Sequence, residues 1–164
     1  MSEQPTSTIK TPDPPRGIKA IPWRLPIWLY RLKLGFLLGH RFLLLTHIGR
    51  VSGEPRQAVL EVIHYDEETN THYVASGFGE KSQWYQNLMK TPEVTIQIGN
   101  RKIPVTAARL SPEEAERILR IYRQEHPKAL RELSKILGYE LDGTEENFLA
   151  FTRALPVIAF QRNS

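Results

Sequence analysis

The chain has 164 residues, about one domain's worth, with the 40% apolar and 24% charged content ordinary for a globular protein. It has no cysteine, which excludes a disulfide, a thiolate nucleophile and a Cys-ligated metal. The net charge of +4 is uneven: residues 1–50 hold eight Lys/Arg against two acids, and the remainder holds fourteen against sixteen. A basic front points to an anionic partner: headgroups, nucleic acid or a polyanionic ligand.

Residues 1–16 carry four prolines and little that is apolar, so a disordered tail is expected there. They lack the apolar core of a signal peptide, and a cytoplasmic location is expected. In residues 17–40, Leu25, Leu29, Leu32 and Phe36 form a stripe at helical spacing, with Pro26 near the start and Gly39 at the end. This amphipathic helix is too short and too charged to span a bilayer. It packs on the domain or lies on a membrane surface, with Trp28 and Tyr30 near the headgroups.

Residues 41–164 read as one barrel domain. Strands are expected over 42–46, 56–65 and 72–76, then a short helix over 82–90. Val94, Ile96 and Ile98 alternate with polar residues, and Gly99-Asn100 reads as a two-residue turn into a strand over 102–110. Ser111-Pro112-Glu113-Glu114 is a helix start, with a capping Ser and Pro in the first turn. Helices over 127–137 and 145–153 follow, and Gly138 breaks the first. A last strand covers 155–160, with Pro156 favouring a sheet edge or the first residues of the strand. Tight strand connections favour an α+β, mainly β fold: a split antiparallel β-barrel with peripheral helices.

Two turns carry the chemistry. Gly49-Arg50-Val51-Ser52-Gly53-Glu54-Pro55-Arg56 combines backbone freedom, a hydroxyl and two forked cations that match phosphate or carboxylate. The competing reading is a polar turn with two solvated arginines. Ser76-Gly77-Phe78-Gly79-Glu80-Lys81-Ser82 precedes the short helix, whose N-terminus would attract phosphate. It has the spacing of neither common nucleotide motif. Trp84 and Leu88 share a helix face, which suits anchoring to the barrel, and Asn87 is placed to reach a neighbouring backbone or cap the next turn. The five histidines (40, 47, 64, 72 and 126) show no ligand spacing, so no metal is expected and they read as surface or barrel-wall residues. There is no acid/base pair and no nucleophile turn, so an enzyme on this chain needs a cofactor for the hard step.

The runs G-R-x-S-G-x-P-R (49–56), A-S-G-x-G-x-K-x-x-W-Y-x-N-L (75–88) and P-x-V-x-I-Q-I-G (92–99) resemble the deazaflavin-dependent nitroreductase family, relatives of the split-barrel flavin reductases. The resemblance covers about residues 41–110 and continues weakly to Phe160. It implies a split barrel and a 5-deazaflavin coenzyme of the F-420 type with a polyanionic phospholactyl-oligoglutamate tail. It further implies hydride transfer to a quinone, nitroaromatic or activated alkene. On this resemblance Arg50, Ser52, Gly53, Pro55, Arg56, Ser76, Gly77, Lys81 and Trp84 hold the phosphate and the ring. Tyr30, Tyr122 and Tyr139 are candidates for the substrate pocket, with Tyr139 as proton donor. Many members carry Lys where this chain has Val51, which leaves room for FMN as an alternative coenzyme. A non-catalytic FMN- or haem-binding barrel, peripheral membrane contact and a homodimer stay open. A nucleic-acid partner is disfavoured, because the aromatics do not interleave with basic residues on a strand face.

Overall fold

The structure is a computed structural model that describes residues 41–163; the expected tail (1–16) and amphipathic helix (17–40) lie outside the described residues. Six strands follow one another around a closed antiparallel barrel in the order β1-β2-β3-β6-β5-β4. They are β1 (Phe42–Ile48), β2 (Pro55–Asp66), β3 (Thr71–Ala75), β4 (Glu93–Ile98), β5 (Arg101–Arg109) and β6 (Val157–Arg162). Four helices are described: α1 (Gln83–Lys90), α2 (Pro112–Glu125), α3 (Pro127–Leu137) and α4 (Glu145–Ala154). A single 3-10 turn, Gly79–Lys81, leads into α1.

The period-two patterning builds two cores from one wall. On β6, Ile158 and Phe160 join the barrel interior with Leu43, Leu45, Val74, Ile96 and Val105. The alternate residues Val157 and Ala159 face outward, into a second core with Ile118, Leu119, Tyr122 and Phe151 of the helices. Tyr85 and Leu88 of α1 belong to the interior cluster, so this helix closes the barrel instead of lying on its flank.

Local signals end the elements where expected. Gly99, with φ at +57, makes the two-residue turn that pairs Ile98 with Arg101. The Ser111 hydroxyl accepts from the Glu114 N–H, and Pro112 opens α2. Gly138 ends α3 in the left-handed conformation, and the Tyr139 N–H bonds the Ser134 carbonyl.

The expectation of an edge position for Pro156 is corrected. β6 pairs with β3 on one side and β5 on the other, and a closed barrel has no edge. Pro156 stands just before the strand, where its missing N–H disturbs no ladder bond, and its carbonyl accepts from the Ser76 N–H at 2.9 Å. β1 also runs two residues further than its apolar run suggests, to Ile48, because His47 and Ile48 pair with Arg56 and Pro55.

Candidate functional site

The β1–β2 connection is the turn 49–54. The Gly49 N–H donates to the Glu54 carbonyl at 2.8 Å, and the Gly53 N–H to the Gly49 carbonyl at 2.9 Å. A Cβ on Gly49 would stand 2.5 Å from Ser52 Oγ and 3.2 Å from Arg56 Nε. Only glycine lets the hydroxyl and the guanidinium fold over this backbone. Gly53 has φ at +71 and open space around its Cα, so it is glycine for its backbone angle alone. A cleft of about 540 Å³ opens beside the turn, lined by Gly49, Arg50, Val51, Ser52, Arg56, Gln83 and Asn87.

Asn87, on the face of α1 toward the turn, joins helix to turn. Its Oδ1 accepts from both the backbone N–H and Nη1 of Arg50, at 3.0 Å each. Arg50 Nη1 also donates to Gln83 Oε1 at 2.9 Å. Lys90 Nζ donates to the Arg50 carbonyl at 2.7 Å. On its other side, Asn87 Nδ2 meets His47 Nδ1 at 2.9 Å. Both His47 and Asn87 are buried. Burial, and secondly the charge of Arg56 across the β1–β2 pair, lower the His47 pKa to about 4.

The electrostatics of this cleft are one-sided. Arg50 is held by two neutral amides, and among the described residues no carboxylate pairs with Arg50, Arg56 or Lys90. A cradle that a Cβ would fill, flanked by guanidinium groups that pair with no acid among the described residues, fits the phosphate of an anionic coenzyme tail.

The expected site residues divide. Arg50, Ser52 and Arg56 line the cleft, and Gly53 and Pro55 shape the turn and the start of β2. Ser76, Gly77, Lys81 and Trp84 are not among the cleft-lining residues. The Ser76 hydroxyl donates to the Gly79 carbonyl at 2.6 Å, holding the 3-10 turn. Gly77 lies beneath α3, where a Cβ would press on Ile136 and Leu133 at 3.2 and 3.3 Å. Lys81 is exposed at the end of the 3-10 turn. Trp84 packs against the barrel cluster and edge-on to Tyr85, at 6.5 Å between rings, as its anchoring reading expects. Of the tyrosines, Tyr30 lies outside the described residues. Tyr122 is buried and donates to Glu61 Oε1 at 3.1 Å. Tyr139 packs edge-on to Phe151 at 5.8 Å, and burial raises its pKa.

Gln83 and Asn87, which line the cleft, and His47 and Lys90, which bond to its lining residues Asn87 and Arg50, are residues that the sequence reading did not assign to a site. The N-L that closes the second motif includes Asn87, so that residue carried a signal. His47 carried none, because a lone histidine in a strand reads as a barrel-wall residue.

A closed six-stranded antiparallel barrel with helices around it defines the split-barrel class, here with a glycine-arginine turn at one rim. The family model of the F420H(2)-dependent quinone reductases matches residues 24–134, more than half of the chain. The chain is 38% identical over 90 residues to a Mycobacterium tuberculosis protein named as an F420H(2)-dependent quinone reductase, Rv3178; the match covers 54% of this chain and 74% of that one. The chain therefore belongs to the F420H(2)-dependent quinone reductase family. It is an oxidoreductase, and its coenzyme is the F-420 deazaflavin in place of the FMN alternative. Solved structures are similar in fold. One is an F420-H2 dependent reductase (FDR-A), with a TM-score of 0.50 and 22% identity over 74% of this chain and 95% of that one. Another is a pyridoxamine 5'-phosphate oxidase-related, FMN-binding protein of Nostoc punctiforme, with a TM-score of 0.50 and 17% identity over 89% and 83%.

Proposed function

We infer that the cleft at Arg50 takes the phosphate-bearing tail of the reduced deazaflavin and that the chain reduces a quinone. Nitroaromatics and activated alkenes are further acceptors of the same chemical class. The observation that carries this reading is the Arg50 guanidinium, fixed by two neutral amides and, among the described residues, paired with no carboxylate. An arginine placed for stability alone would gain more from an acidic partner.

The coenzyme, when bound, supplies the hydride. The chain supplies position and electrostatics. Arg50 and Arg56 offer forked donors to a phosphate, the Ser52 hydroxyl adds a third donor, and Lys90 adds positive charge at the rim. Trp84, at the barrel end of α1, is the candidate to flank the ring, and Lys81 to meet the tail. Tyr139 is the candidate proton donor, its hydroxyl held above the usual tyrosine range by burial.

Titration of the purified chain with the deazaflavin coenzyme, FMN and haem, followed by Trp fluorescence, tests the reading. Binding of the deazaflavin in preference to the others is expected, weakened about tenfold or more by Arg50→Ala and by Arg56→Ala. Unchanged affinity in the double variant would remove the phosphate role. A panel of quinones, nitroaromatics and enones then ranks the acceptors by kcat/KM.

A further inference from the structure

We propose that His47 is a positioning residue: through the side-chain amide of Asn87 it fixes Arg50 in the orientation that receives the phosphate. The inference deepens the reading of the cleft given above and rests on it.

The geometry allows one hydrogen-bonding pattern. Arg50 brings only donors to Asn87, its backbone N–H and its Nη1, each 3.0 Å from Oδ1. The Asn87 oxygen must therefore face Arg50, which turns the NH2 group toward His47 Nδ1 at 2.9 Å. That contact forms only if Nδ1 is an unprotonated acceptor, so the ring proton sits on Nε2. A proton on Nδ1 would set donor against donor. The amide would then lose its partner or flip, and a flipped amide presents NH2 to the Arg50 donors. The tautomer of one buried ring is thus coupled to the placement of a guanidinium that it does not touch.

The surroundings of His47 hold this state. Arg56 is its register partner on β2, Asn87 faces it from α1, and the positive charge of Arg50 lies beyond that amide. Both charged groups are cations, and burial acts in the same direction, so the neutral ring is favoured. Asn87 is 2% exposed and His47 4%, so no water competes freely for either group.

Side-chain NMR of the full chain, with histidine labelled at both ring nitrogens, reads the tautomer directly. The Nε2–H form is expected from pH 5 to 8. A His47 that titrates near 6.5, or carries its proton on Nδ1, overturns the proposal whatever the coenzyme does. Binding of the deazaflavin coenzyme and of a phosphate-free deazaflavin is then measured on His47→Leu and His47→Asn. His47→Leu is expected to weaken the coenzyme about tenfold and to leave the phosphate-free compound unchanged. His47→Asn, whose Oδ1 can replace Nδ1 as acceptor, is expected to restore the affinity. Equal loss for both ligands, or no rescue by Asn, assigns His47 a structural role only and overturns the proposal. Failure of the phosphate reading is separate: it would appear as unchanged affinity in Arg50→Ala with the tautomer still Nε2–H.

Discussion

Two donors of Arg50, its backbone N–H and Nη1, converge on a single oxygen of Asn87, both at 3.0 Å. One helix side chain thereby fixes both the path of the β1–β2 turn and the direction of its guanidinium. The residues are 37 apart in sequence, and the coupling closes a loop between strand and helix at the barrel rim.

Substitution at Asn87 separates charge from placement. Asn87→Asp keeps an oxygen toward Arg50 but places a carboxylate beside it, which cancels the charge the cleft holds for an anion. Affinity for the anionic coenzyme is expected to fall by about tenfold or more, with little change for a neutral deazaflavin. Asn87→Leu leaves the buried His47 Nδ1 and the half-buried Arg50 backbone N–H without their partner and is expected to lower stability by about 1–3 kcal/mol. Fluorescence titration and urea unfolding distinguish the two. An Asp variant that binds the coenzyme like the parent would show that Arg50 does not meet the anion.

The two turn glycines are expected to fail in different ways. Gly49→Ala drives a methyl to within 2.5 Å of Ser52 Oγ and 3.2 Å of Arg56 Nε. It should displace both groups and weaken coenzyme binding about tenfold. Gly53→Ala meets no atom within 4 Å but forces a side chain to φ of +71. It should cost about 1 kcal/mol of stability and leave affinity nearly unchanged. Similar binding defects in the two variants would contradict this division.

The barrel was legible because its signals are local. Alternating apolar residues mark β4 and β5, Gly99 marks their turn, and Ser111-Pro112 marks the start of α2; each acts within a few residues of chain. Closure was less legible, because whether Pro156 precedes an edge or an inner strand depends on the pairing of β6 with β3 and β5. At the site, Arg50, Ser52 and Arg56 could be read from one contiguous turn. His47, Gln83 and Lys90 could not. Their roles come from α1 docking against β1 some forty residues away, and the residue types alone are common in any strand or helix. Gly77 illustrates the converse: its spacing suits a phosphate loop, while its bare Cα serves the close approach of Ile136 and Leu133.

Val51 is 95% exposed at the tip of the turn and lines the cleft, an apolar side chain beside Arg50 and among polar lining residues. Val51→Lys adds a charge without disturbing packing. It is expected to tighten coenzyme binding by a few-fold at low salt, with the gain fading as ionic strength rises. Affinity that is unchanged at every salt concentration would mean that the tail leaves the cleft away from residue 51.

The depressed pKa of His47 has a consequence for stability with a definite sign. Burial and Arg56 lower it from 6.5 to about 4, so the unfolded chain takes up the proton first. Stability from the neutral ring is fully present above pH 6.5, declines as pH falls from 6.5 toward 4, and is lost below that. The total is on the order of 3 kcal/mol. His47→Asn keeps an acceptor for Asn87 without a titrating ring, so its unfolding free energy should be flatter across this window. Urea denaturation of both proteins at pH 7, 5.5 and 4 provides the comparison. Parallel curves would mean that the His47 ring is protonated as readily in the folded chain as in the unfolded one, and would leave Asn87 without the acceptor that orients it.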